Sequence, residues 1–240
     1  NGPVAIALTP ALDGDNRGGQ YLAADNAYPL NGTQADLLLE RQIYLNVHSV
    51  GFPGGELRGQ MLPTAQSYFN AYTAGGQEAT PVLSRGYGHL IGEFSGGTVT
   101  VSGSFAGLES DFDTSIGSHL HKGFYGRNGG VEVFLAPDLA GDLRSAVYAP
   151  DSNQFALRDG LVDTLLMRGI YVNIHSTDVP SGELRGQMLP EAPAYFFTPL
   201  SGTNEVPPVV TGATGAVALE LYAAGGNTMS ILSGSFDDLE

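Results

Sequence analysis

The sequence predicts an all-β protein, a two-sheet sandwich or flattened Greek-key barrel, and three observations predict it. Glycine (34) and proline (14) are frequent in 240 residues, so turns are many. Apolar and polar residues alternate over short runs, the period of a strand with one face buried. Helical spacing is confined to one short stretch in each of two repeated segments.

In the central segment the strands read in order. Residues 67–72 (Ser67 to Tyr72) open it. Residues 88–94 run through Ser95-Gly96-Gly97 into 98–105, a hairpin by its glycine turn and β-branched alternation. Residues 118–123 and 130–135 follow, the latter bounded by Pro137-Asp138. Apolar residues at helical spacing predict a helix over 158–168, with a counterpart over 33–41. Residues 169–176 and 182–188 close the segment.

The chain repeats at an offset of 127 residues. Ile43-Tyr44-Leu45-Asn46-Val47-His48-Ser49 returns as Ile170-Tyr171-Val172-Asn173-Ile174-His175-Ser176, and Gly55 to Pro63 returns unchanged as Gly182 to Pro190. Near the C-terminus the offset becomes 131, since Gly234-Ser235-Phe236 repeats Gly103-Ser104-Phe105. The four extra residues are placed in the turn Ala223 to Asn227, because turns absorb insertions at low cost. Identity spread this widely is duplication of a whole folding unit. Residues 66–191 make one complete unit. Residues 1–65 are a back half and 192–240 a front half, lacking between them the counterpart of 110–127. Three arrangements are open: closure of tail on head within one molecule, completion of each tail by the head of the next molecule, or a window on a longer tandem array. An uncovered half-sandwich would aggregate, so some completion is expected.

Composition narrows the function. A net charge of −15 with Lys122 as the single lysine excludes a sequence-independent nucleic-acid binder, which needs a basic stripe. It also argues against docking to anionic membranes. No stretch is long and apolar enough for membrane insertion. There are no cysteines, hence neither disulfides nor thiolate metal sites. Asn31-Gly32-Thr33 is a glycosylation sequon.

Four motifs then stand in a specific order: His119-Leu120-His121-Lys122-Gly123, Gly130-Val131-Glu132-Val133, Tyr171-Val172-Asn173-Ile174-His175-Ser176 and Gly182-Glu183-Leu184-Arg185-Gly186-Gln187. An opening motif stands as Leu200 to Val209, and in degraded form as Ala74 to Val82. This series resembles the CHRD (chordin-type) domain, over nearly the whole chain. The resemblance implies an immunoglobulin-like or superoxide-dismutase-like Greek-key β-sandwich in an extracellular protein. It implies no settled activity.

The candidate chemistry lies in histidine. His119 and His121 are two apart on a strand and so share a sheet face. With His175 on a later strand, three neutral imidazoles would suit copper or zinc, with Asp111, Asp113 or Asn173 fixing a tautomer. The plainer reading has these histidines bonding backbone at the sheet ends. His48 repeats His175, but its His-x-His partners would fall in the missing counterpart. Glu183 and Arg185, like Glu56 and Arg58, read as a charge ladder between strands. Asn173 and Asn46 read as partners of the backbone. Glu109, Asp111 and Asp113 read as a solvated acidic loop. No nucleophile elbow, phosphate-cradling loop or carboxylate pair stands out, so no enzyme and no obligatory cofactor is expected. The leading expectation is a secreted structural protein, forming a fibre, sheath or matrix by head-to-tail assembly with itself. The alternative is an extracellular metal-binding module.

Overall fold

The computed structural model describes all residues except 1, 159, 193, 225, 226 and 240, and all side chains except those of 222–228 as well. The chain forms two compact units, Asn1–Pro63 and Thr64–Glu240.

The first unit carries β1 (Ala11–Leu12) and β2 (Gly19–Gln20) as one antiparallel pair. Then come α1 (Gly32–Leu39), β3 (Tyr44–Val47) and β4 (Leu57–Gln60), the last two pairing antiparallel. A reciprocal cap starts α1. Asn31 Oδ1 accepts from the Gln34 N–H at 2.9 Å, and the Gln34 side chain accepts from the Asn31 N–H at 3.1 Å. None of the unit's described residues is buried.

The second unit holds the complete repeat. Its strands are β5 (Ser67–Ala74), β6 (Tyr87–Ser95), β7 (Thr98–Ala106), β8 (Ser118–Lys122), β9 (Gly130–Leu135), β10 (Asp138–Leu139), β11 (Ala146–Tyr148) and β12 (Gln154–Ala156). After α2 (Leu161–Leu166) follow β13 (Ile170–Ser176), β14 (Val179–Gln187) and β15 (Leu189–Pro190). All pair antiparallel in the order β10-β11-β7-β6-β5-β14-β13-β8-β9, with β12 on β7 and β15 on β5. The β6–β7 hairpin turns at Gly96 and Gly97 with φ of 58° and 81°, the double positive φ of a tight two-residue turn.

The sheet curls until its ends meet. Phe69 and Leu90 from its middle share one core with Leu120, Leu135, Val172, Ile174 and Met188 from the other arm. Each such side chain contributes about 1.5–3 kcal/mol by leaving water. Polar bonds secure the closure. The Tyr148 hydroxyl donates to Ser118 Oγ at 2.9 Å, and the Asn153 amide brackets both backbone polar atoms of Ala136. The all-β prediction holds, with one short helix per repeat.

Helix α2 is shorter than the predicted 158–168. Gly160 precedes it at φ 80° and Arg168 ends it at φ 66°, so left-handed residues bound one and a half turns. Leu161 and Leu165 dock it on the core. The short strands β10, β11, β12 and β15 were not predicted. Being two or three residues long, they show no alternation.

Residues beyond the complete repeat form a separate three-stranded sheet, β16 (Ala194–Ser201), β17 (Thr214–Ala224) and β18 (Asn227–Asp237). It repeats β5, β6 and β7. The predicted four-residue insertion lengthens both arms of its hairpin, since Ala223 pairs with Thr228 and Ala224 with Asn227 beyond the Tyr222–Met229 pair. Gly225 and Gly226 within it lie outside the described residues. The sheet packs on the complete repeat through Tyr125, Leu189, Ala216 and Ala218. Arg168 donates to both carboxylate oxygens of Glu220, at 2.8 and 3.0 Å, beside this patch.

Candidate metal centre

The outer face of β8, β13 and β14 is polar and nonetheless largely buried, with His121 half-buried. In register across β8 and β13, His119 lies opposite Asn173 and His121 opposite Tyr171. His175 stands two residues beyond Asn173 on the same face. One ring nitrogen from each of His119, His121 and His175 lies within 4.8 Å of the others. The ring centroids are 5.2 Å apart for His119 and His175, and 5.4 Å for His119 and His121.

Backbone carbonyls fix two of the rings. His175 Nδ1 lies 3.0 Å from the Pro180 oxygen, and His121 Nδ1 lies 2.9 Å from the Gly129 oxygen. A carbonyl only accepts, so each Nδ1 carries the proton and each Nε2 keeps its lone pair. Both Nε2 atoms, and a ring nitrogen of His119, are buried without a hydrogen-bond partner. A buried polar atom left unpaired costs about 1–3 kcal/mol, so one on each of three neighbouring rings makes this face costly to fold. Burial pushes all three imidazoles below their usual range, His175 to about 4, which keeps them neutral and able to ligate. The Ile116 backbone beside His119 offsets part of its shift. Three nitrogens on one copper or zinc ion at about 2.0–2.1 Å would lie no more than about 4 Å apart.

The surroundings correct several expectations from sequence. The acceptors that orient the rings are Pro180 and Gly129 carbonyls, not Asp111, Asp113 or Asn173. Asp111 is paired with Arg144, Asp113 accepts from Ser115, and Glu109 is paired with Arg85, so the acidic loop is bound by its own partners. Asn173 bonds no backbone group: its Nδ2 donates to both carboxylate oxygens of Glu78, at 2.9 and 3.2 Å. Glu183 and Arg185 form no exposed ladder, for both are fully buried. Glu183 accepts from Ser84 Oγ at 2.6 Å and from the Glu109 N–H at 2.9 Å. Arg185 donates to the Arg127 and Phe124 carbonyls and lies 3.5 Å from the Tyr171 ring centre. Tyr171 in turn stacks on His121, with centroids 4.9 Å apart. Ring and guanidinium thus run from the histidine cluster across to β14.

Glu78 and Tyr171 were not singled out from the sequence. Glu78 recurs as Glu205, and the Asn-x-His motif recurs with it, which was the available signal. Burial raises the Glu78 carboxyl to about 7. His48 lies in the first unit, exposed, with Nδ1 2.9 Å from the Pro53 oxygen. His89 stands apart from the cluster, bonded to Asn70 Oδ1 at 2.8 Å and stacked on Tyr72.

Fold and site together define a class: an antiparallel β-protein with a buried tri-histidine face and one short helix per repeat. The CHRD domain model matches residues 1–61 and 69–188, most of the sequence, and the chain belongs to the CHRD domain family. No curated protein and no solved structure matches it. CHRD domains occur in extracellular proteins generally. Among the described residues no helix is long and apolar enough to cross a membrane, which leaves β-barrels aside.

Proposed function

We propose that the protein is a secreted, non-enzymatic metal-binding CHRD module whose His119, His121 and His175 hold one copper or zinc ion. The observation that carries this reading is an unpaired, buried ring nitrogen on each of three histidines whose ligand atoms lie within 4.8 Å. Two of those rings are already held by carbonyls in the tautomer a metal needs, the arrangement that orients metal-bound imidazole. Neutral nitrogen donors without thiolate suit copper and zinc over magnesium or calcium. The test is equilibrium dialysis of metal-free protein against each ion, with metal and protein quantified. One ion per chain, lost in His121→Ala/His175→Ala, supports the reading. No retained ion in the parent protein defeats it.

A second reading, a structural element of an extracellular fibre, sheath or matrix, is favoured by one observation. Residues whose repeats form the core of the complete unit stand exposed in the two half-repeats. Phe196 is 55% exposed where Phe69 is 1%, Leu57 is 63% where Leu184 is 0%, and Phe236 is 62% where Phe105 is 2%. Apolar faces of this kind mark contact surfaces. Light scattering and electron microscopy decide it: large periodic particles support assembly, and a single species of one chain mass removes it.

A further inference from the structure

We infer that β16 takes up, along the edge away from β17, the segment Gly55–Pro63 of a second copy of this chain, in the register that β14 and β15 adopt on β5. This rests on the assembly reading and specifies its contact. In the complete repeat the corresponding edge of β5 is occupied by Gly182–Pro190: Arg185 pairs with Ala74, Leu189 with Asn70 and Pro190 with Phe69. Gly55–Pro63 has the same sequence, residue for residue. The sheet of β16, β17 and β18 ends at β16 among the described residues, whereas β5 is flanked on both sides.

The first unit already holds the conformation of a back half, although none of its described residues is buried. Three polar contacts of the complete repeat recur there. Gly2 N–H donates to the Tyr44 hydroxyl at 3.1 Å, as Gly129 does to Tyr171 at 3.1 Å. The Asn26 amide brackets Thr9 as Asn153 brackets Ala136. The Arg58 guanidinium lies 3.6 Å from the Tyr44 ring centre, against 3.5 Å for Arg185 over Tyr171. The segment is therefore organised for docking, and little ordering entropy remains to be lost.

Leu57 is 63% exposed and Phe196 55%, and the proposed pairing covers both. Main-chain pairing along an edge supplies the affinity and the apolar side chains supply the register. Shifting the observed pairs by the repeat places Arg58 opposite Ser201, Leu62 opposite Phe197 and Pro63 opposite Phe196. Glu205, exposed here, then meets Asn46 as Glu78 meets Asn173. Each copy gives one segment and receives one, a head-to-tail contact that propagates.

The absence of cysteine makes cross-linking clean. Leu62→Cys and Phe197→Cys are made in separate chains, mixed and mildly oxidised. The inference predicts a reducible species of twice the chain mass that is at least tenfold more abundant in the mixture than in either variant alone. The pair Arg58→Cys and Ser201→Cys repeats the test without touching the packing of Phe197. Particles that assemble while neither pair cross-links overturn the register but leave assembly standing. A double variant that closes only within its own chain overturns the exchange. Unassembled parent protein of one chain mass overturns the assembly reading itself.

Discussion

His175 Nδ1 and the Pro180 carbonyl oxygen lie 3.0 Å apart, and five residues again separate His48 from Pro53, 2.9 Å apart in the first unit. The bond fixes a histidine ring through Nδ1 in both repeats. Only in the complete repeat do His119 and His121 stand beside it. The histidine–carbonyl bond is thus a property of the repeat, and the three-histidine cluster a property of the complete unit.

Replacing His175 by Ala removes one of the three proposed ligand atoms. The expected loss of copper or zinc affinity exceeds the roughly 10–100-fold typical of removing a group that only hydrogen-bonds a ligand. Isothermal titration of parent and variant measures it. Saturating metal at about 100 times Kd adds about 2.7 kcal/mol of stability to the parent, read as a rise in Tm, and none to the variant.

Stability without metal depends on pH through two opposed groups. His175 has its pKa lowered by burial to about 4, so stability is present above the unfolded value near 6.5 and is lost as pH falls toward 4. Glu78 has its pKa raised by burial to about 7, so its share is present below the unfolded value near 4.5 and is lost as pH rises through 7. Glu78→Gln keeps an acceptor for Asn173 and abolishes the second dependence. Denaturant melts should show the variant near parent stability at pH 4.5 and more stable at pH 8, by up to about 3 kcal/mol.

Gly182 has φ 122°, and a Cβ there would meet the Asn173 amide at 2.3 Å and Glu78 Oε1 at 2.8 Å. Gly182→Ala is expected to cost about 1–3 kcal/mol or more. Gly141→Ala, where nothing lies within 4 Å, is expected to fall within about 0.5 kcal/mol of the parent. Urea melts of the two variants check the contrast.

Arg185→Lys keeps the charge and discards the planar contact with Tyr171 and the two-pronged donation to the Arg127 and Phe124 carbonyls. Those carbonyls lose their donors in a buried site, and a loss of about 2–4 kcal/mol follows. Thermal unfolding measures it.

Glu220→Gln breaks a buried two-bond ion pair with Arg168 between the β16–β18 sheet and the complete repeat. About 3 kcal/mol is expected to be lost locally, because Arg168 keeps its charge without that partner. Hydrogen exchange should quicken in β17 ahead of β6.

The main strands, the helices and the duplication were legible because alternation, glycine turns and the 127-residue repeat are local or periodic signals. The three histidines were legible as candidates because His119 and His121 share a face by strand geometry alone. Their tautomers were not, since Gly129 and Pro180 offer only backbone carbonyls, which every residue possesses. The burial of Glu183 and Arg185 was hidden for a related reason. A charged pair two apart on a strand looks like a cross-strand ladder until Ser84 and Glu109 meet Glu183 and the Phe124 and Arg127 carbonyls meet Arg185. Asn173 reads as a backbone partner until Glu78, ninety-five residues away, reaches it.

The most direct measurement is the electron paramagnetic resonance spectrum of the protein with one equivalent of Cu(II). Binding at His119, His121 and His175 predicts a single species with hyperfine splitting from imidazole nitrogens, absent from His121→Ala/His175→Ala. An oxygen-ligated spectrum, or one that the double substitution leaves unchanged, contradicts the metal centre.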